Sequence, residues 1–410
     1  MPKEFFNVLP PDPALAEVFK HLPAAVQAEV IPTVEALDRV TAGPVPSPSA
    51  LPAFPRSTMD GYAVRAQDTF GASATLPAYL NVIGEVPMGR APTLTLSTGA
   101  AAIVHTGGMI PDGADAVVMI EHTQATRENE IEVVKAVAVG ENVLRVGEDV
   151  AEGATVIEGG VRLRPQDLGG LMALGITSVA VAPRPRFGIL ATGDEVVSPE
   201  SAGVGPGQIR DINSYSVSGL VERAGGIPVR YGIAPDKFES LLAISSKALS
   251  GCDGLILSAG SSVSVRDMTG DVINRLGTPG VLVHGVAVKP GKPSLLAVCG
   301  GKPVFGLPGN PVSALVIAEL FVKPTIERMQ GLKTVVRHIR AKLTRNIASE
   351  AGREDYVPAK LIDRDGETFA EPVFGKSNLI FTLIRADGII HIPLNANGLS
   401  AGEMVEVRLF

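Results

Sequence analysis

The sequence predicts a multidomain protein of the α/β plus β class, and three observations predict it. From Arg186 onward, short apolar runs alternate with helical spacings, the pattern of a parallel sheet with helices on both faces. Before and after that stretch, brief alternating runs are cut by Gly, Pro, Asn and Asp, which is how β-rich units read. At 410 residues the chain also exceeds the size at which a single core keeps growing, so it divides into several domains.

Composition narrows the function classes. A hydrophobic content of 45% with 45 Gly and 32 Pro makes a globular, turn-rich chain rather than a disordered one. A formal net charge of −7 and 4% aromatic residues supply neither the basic footprint nor the stacking platforms of nucleic-acid binding. Cys252 and Cys299 are too few for a disulfide framework and lack metal-ligand spacing, so both read as structural. No run reaches the roughly 18 apolar residues of a membrane span, and residues 1–20 lack a signal-peptide pattern. The expected location is the cytoplasm, with no membrane partner.

In chain order, Leu15, Val18, Phe19 and Leu22 predict a helix over residues 13–22, and a similar spacing predicts a second over 26–40. A Pro/Ser/Ala-rich stretch over 41–55 marks the crossing into a β-rich unit with strands at 101–105, 116–120 and 131–137. Two of its loops stand out. One holds Arg56, Ser57, Thr58 and Asp60 directly before a strand, and the other runs His105-Thr106-Gly107-Gly108 after one. Each alone is ordinary turn chemistry, and His105 reads as a structural residue closing an apolar strand. Residues 147–181 add strand pieces and a short helix delimited by Pro165 and Gly175. They are expected to pair with the 26–40 helix, giving a linker built from two separated parts of the chain.

The α/β stretch predicts strands at 187–191, 229–233 and 255–257 and helices at 212–224 and 237–249. Its strands end in Thr192-Gly193-Asp194-Glu195, in Ala234-Pro235-Asp236 and in the small-residue loop Ser258-Ala259-Gly260-Ser261-Ser262, which leads to Asp267. Two more strands run into Lys289-Pro290-Gly291-Lys292-Pro293 and Pro308-Gly309-Asn310-Pro311, the latter opening an apolar helix with Ser313 in its first turn. Asn310 suits the N-cap and Pro311 the first helical position. One such loop is an ordinary strand-to-helix connection. Three in one segment, with two lysines, point to an anion pocket at the carboxyl edge of the sheet. Carboxylates beside phosphate loops suit Mg²⁺, which takes oxygen ligands and keeps substrate phosphates among them. Beyond Gly331, strands at 339–343, 356–362 and 404–409 read as a small barrel or sandwich, with Phe374-Gly375-Lys376-Ser377-Asn378 as its one loop of anion-binding look.

Four segments occur in one order: Ser57-Thr58-Met59-Asp60-Gly61-Tyr62-Ala63, Thr192-Gly193-Asp194-Glu195, Lys289-Pro290-Gly291-Lys292-Pro293 and Leu307-Pro308-Gly309-Asn310-Pro311-Val312-Ser313. With them the chain resembles, over essentially its whole length, the molybdopterin molybdenumtransferase family, which includes the E domain of gephyrin. The resemblance implies a central α/β domain of the molybdopterin-binding, adenylyltransferase-like fold over 8–26 and 185–332. It further implies a discontinuous linker over 27–46 and 147–184, a β-rich domain over 47–146 and a C-terminal β-barrel over 333–410. The implied activity belongs to molybdenum cofactor biosynthesis: molybdate is inserted into adenylylated molybdopterin, with Mg²⁺-dependent release of AMP.

By motif match the resemblance gives Asp60, Thr106, Glu195, Asp236 and Asp267 catalytic positions. It gives Lys289, Lys292, Pro308, Gly309, Asn310, Pro311 and Ser313 to the pterin and anion pocket; the small-residue loop adds Ser258, Gly260, Ser261 and Ser262, and Asp194 and Asp267 are the acids assigned to Mg²⁺. It implies a homodimer with the active cleft between subunits, and molybdopterin adenylyltransferase and molybdoenzyme apoproteins as partners. One departure stands out: where the family commonly has Gly-Gly-Val-Ser-Val-Gly, this chain has a loop that reads shorter before Asp267, with Arg266 in place of a small residue. Tungstate insertion, a non-catalytic molybdopterin carrier and adenylyl transfer are the competing readings. The carboxylate set argues against the carrier, and the β-rich unit with Asp60 argues against adenylyl transfer.

Overall fold

The structure is a computed structural model that describes residues 8–24, 26–259, 263–333 and 338–410. Its centre is a six-stranded sheet in the order Ile227–Ala234, Arg186–Thr192, Gly254–Ala259, Lys302–Pro308, Leu295–Cys299, Pro279–His284. The first four strands are parallel and the last two pairings are antiparallel. The expectation of a parallel sheet therefore needs correcting at one edge. Gly300 and Gly301, at φ +58° and +79°, form a two-residue hairpin turn that reverses the chain between Leu295–Cys299 and Lys302–Pro308.

Helices cover both faces because adjacent strand residues point to opposite sides. Ile189 and Phe305 pack under the helices Pro11–Lys20, Asn213–Arg223 and Pro311–Ile317, whereas Leu190 and Val304 pack under Phe238–Gly251 and Val263–Leu276. The apolar helix predicted beyond Val312 is broken into Pro311–Ile317, a π-helical step Ala318–Val322 and Lys323–Met329. Cys299 lies in this core, where burial pushes its thiol up to about 11 and keeps it protonated.

The second predicted helix, over 26–40, does not form. Its place is taken by the strand Glu29–Pro32 and the short 3-10 turn Thr33–Glu35, and the strand pairs antiparallel with Ser178–Val181. Val30 and Ile31 are stiff β-branched residues, and Pro32 holds its predecessor extended and has no N–H to donate. Ala36, Leu163, Leu171, Val179 and Val181 form a common core between these two distant parts of the chain. Arg162 and Arg184 then donate to the carbonyls of Ala224, Gly225 and Gly226, satisfying the end of helix Asn213–Arg223, where Gln330 also donates to Ala224, and tying this unit to the α/β layer.

Residues 61–133 contain a second six-stranded sheet whose alanine- and valine-rich core lies entirely within the β-rich stretch. The last unit is a barrel: Glu354–Arg364, Glu367–Pro372, His338–Leu343, Met404–Leu409 and Gly388–Ile392 close back onto Glu354–Arg364. Asp365 and Gly366, both at positive φ, make its first hairpin turn. The barrel docks on the α/β layer through the two-residue strand Val288–Lys289, parallel to Glu354-Asp355, and through Val312, Val316, Leu383 and Ile389. Among the described residues no helix is long and apolar enough to cross a membrane.

Candidate active site

The carboxyl ends of two neighbouring parallel strands bring Asp194 and Asp236 together. Thr192 donates its hydroxyl to Asp236 Oδ1 at 2.6 Å, and the Asp236 backbone N–H reaches Asp194 Oδ1 at 3.2 Å. Gly193, at φ +147°, allows the sharp exit from the strand, and a Cβ there would meet the Glu195 carboxylate at 2.9 Å. Glu195 thus folds back over the same turn. Asn213, which the sequence did not single out, donates to Ser258 Oγ at 2.8 Å and to the Gly309 carbonyl at 2.9 Å. It clamps the ends of two neighbouring strands. Asp267 is exposed on helix Val263–Leu276, and Gly260, Ser261 and Ser262 lie outside the described residues.

A cavity of about 630 Å³ opens between this edge and the barrel. Lys289 and Lys292 enter it from one loop, Pro308, Gly309, Asn310 and Ser313 from the next, and Arg353, Asp355 and Lys376 from the barrel. Pro311, at the first helical position as expected, is buried behind it. Asn310 does not cap the helix with its side chain, contrary to expectation. Its Nδ2 instead donates to Ser377 Oγ at 3.1 Å, and Ser377's carbonyl accepts from Val312 N–H. The backbone of the barrel loop takes over the capping task, so the two loops form one wall.

Asp355 is 3% exposed, with Arg353 Nε at 3.0 Å and Lys289 Nζ at 3.9 Å. On the opposite face of the same strand Tyr356 donates to Glu354 at 2.7 Å, and burial followed by that bond pushes its phenol far above the ordinary range. Arg353, Asp355 and Lys376 gave no local sequence signal beyond the faint one of the 374–378 loop. They join the site only because the barrel docks beside Val288–Lys289.

Asp60 and Thr106 also meet, on the β-rich unit. Thr106 donates both its backbone N–H, at 2.8 Å, and its hydroxyl, at 3.1 Å, to Asp60 Oδ1. Those two bonds, backbone first, hold the carboxyl below its ordinary value, and His105 adds a smaller push the same way. His105 itself pairs with Glu85 at 2.8 Å. Gly61 is required because a side chain there would collide with the Val118 carbonyl. Among the described residues, Asp60 and Thr106 hydrogen-bond to no residue of the α/β layer or the barrel.

Three family models match consecutive parts of the chain: the MoeA N-terminal region (domain I and II) over residues 9–175, a probable molybdopterin binding domain over 188–328 and the MoeA C-terminal region (domain IV) over 340–410. Fold and family models together define a multidomain protein of molybdenum cofactor biosynthesis, with a cavity lined by cations at the carboxyl edge of its central sheet. The chain is 38% identical to a putative molybdopterin biosynthesis protein of Methanocaldococcus jannaschii, covering 98% of each chain. It is 35% identical to molybdopterin molybdenumtransferase 2 of Mycobacterium tuberculosis, covering 92% of this chain and 94% of that one. A crystal structure of the molybdopterin biosynthesis MoeA protein of Pyrococcus horikoshii superposes with a TM-score of 0.87 at 33% identity, over 98% of this chain and 100% of that one. The chain belongs to the MoeA family, the molybdopterin molybdenumtransferases.

Proposed function

We propose that this chain inserts molybdate into adenylylated molybdopterin and releases AMP, with Mg²⁺ as its metal, in the cytoplasm. The observation that carries the reading is the meeting of Lys289, Lys292, Arg353 and Lys376 in one cavity, at the sheet edge that also bears Asp194, Glu195 and Asp236. The substrates require both halves. Molybdate is a dianion and the adenylylated pterin carries linked phosphates, so the cations bind and orient the anions while the loops restrict water. Val357, Pro358, Val373 and Phe374 supply an apolar wall for the pterin rings.

The donor set fits Mg²⁺. Asp194, Glu195 and Asp236 offer hard carboxylate oxygens at one end of the sheet, the donor type that Mg²⁺ takes together with substrate phosphates. Asp194 and Asp267 are its proposed protein ligands. When bound, the ion supplies charge neutralisation to the phosphates. Asp60 and Thr106 reach the cleft from a second copy of the chain, which is why a homodimer belongs to the proposal. Among the described residues of one chain, their exposed carboxylate–hydroxyl pair makes no hydrogen bond to the α/β edge.

The test is AMP release from adenylylated molybdopterin with Mg²⁺, with and without molybdate or tungstate. Release that depends on the oxyanion is expected, and Lys289→Ala should lower it by about 10²-fold. Tight pterin binding without release would overturn the transferase reading.

A further inference from the structure

The anion cavity contains one group that opposes its purpose, the carboxylate of Asp355, and it is the most deeply buried charge there. A carboxylate removed from water this far is costly unless cations pair with it. Its two cationic neighbours both line the cavity. Arg353 donates Nε to Asp355 at 3.0 Å and has Nη1 2.9 Å from a Glu350 carboxylate oxygen, so acids hold the guanidinium from two sides. Lys289 Nζ stands at 3.9 Å, outside hydrogen-bond range, on a side chain 58% exposed. It is tethered by charge and still able to turn towards a ligand.

An interdomain staple is the plainer explanation, and the ladder makes it unnecessary. Val288 and Lys289 already pair with Glu354 and Asp355 through the backbone, with Glu354 N–H on the Ala287 carbonyl at 2.8 Å. The apolar contact of Val312, Val316, Leu383 and Ile389 holds the same two units. The strand also sorts its acids by alternation. Glu354 serves Tyr356 and His391 on one face, while Asp355 faces the cations on the other.

We infer that Asp355 is a positioning residue that presents Arg353 and Lys289 to a tetrahedral oxyanion, an assignment that rests on the oxyanion reading of the cavity. A flexible cation loses rotamer freedom when it closes on a ligand, and one already held loses less. Asp355 therefore favours oxyanion binding despite its charge.

The experiment is molybdate titration calorimetry on the full-length protein for wild type, Asp355→Asn, Arg353→Ala and the double variant, with thermal melts alongside. Asp355→Asn should weaken molybdate binding about tenfold, and it should add clearly less in the Arg353→Ala background, where only the Lys289 part of its effect is left. Asp355→Glu, which keeps the charge, should restore part of the affinity and stands in if the amide fails to fold. Unchanged or tighter binding by Asp355→Asn, or full additivity with Arg353→Ala, would overturn the assignment. Absence of saturable molybdate binding by the wild type would overturn the oxyanion reading of the cavity itself.

Discussion

At the scale of single residues, several candidate groups are paired with a neighbour that fixes their state. Asp60 is the clearest case, since Thr106 donates to it twice. Its folded pKa lies below the ordinary value, so its pairing adds stability above the unfolded-state pKa and loses it as pH falls through the depressed folded one. Thr106→Val removes the hydroxyl and keeps the backbone N–H, which is the larger cause. The acid limb of a pH–rate profile should then move to higher pH without reaching the value of a free carboxylate. An unmoved limb would mean that Asp60 is not the group titrating there. Arg353 and Asp355 mark the opposite extreme of legibility. Nothing local in Arg353-Glu354-Asp355 distinguishes it from a charged barrel strand, and only docking against Val288–Lys289 gives it a role.

At the scale of elements, loops are narrow because backbones come close. Gly291 sits at φ +119°, and a Cβ there would fall within 2.5 Å of Ile317 on the helix behind. Gly291→Ala should therefore displace the loop that carries Lys289 and Lys292, cost about 1–3 kcal/mol of stability and weaken molybdate binding. A thermal melt and an anion titration measure the two effects separately, and wild-type values in both would show that the loop yields freely. The sequence announced this loop through Pro290, Gly291 and Pro293, and it announced the sheet through alternation of apolar runs and helical spacing. It misread residues 26–40, where helical spacing of apolar residues competed with Val30-Ile31-Pro32, and the β-branched pair and proline prevailed through pairing with a strand some 150 residues away. It also misread the edge of the sheet, because the Gly300-Gly301 turn decides direction and an apolar run does not. Asn310 was placed correctly on the helix and assigned the wrong partner, since Ser377 belongs to another unit.

At the scale of the molecule, the proposed homodimer makes a quantitative prediction. If Asp60 of one copy serves the Lys289 cavity of another, then Asp60→Asn and Lys289→Ala are each inactive alone. Mixed and reassociated, half of the dimers are hybrids with one intact site of two, so about a quarter of wild-type activity should return. No recovery after verified exchange would place both groups in one chain's site.

The packing of helix Pro11–Lys20 has a consequence for synthesis. Its buried residues Ala14 and Val18 share one core with Phe305 and Phe321, which leave the ribosome roughly 300 residues later, or about 15–60 seconds at ordinary elongation rates. The β-rich unit, whose apolar clusters draw only on residues 62–143, has its core complete long before that. The nascent chain therefore assembles from an interior segment outward, and its first helix is among the last pieces to find its place.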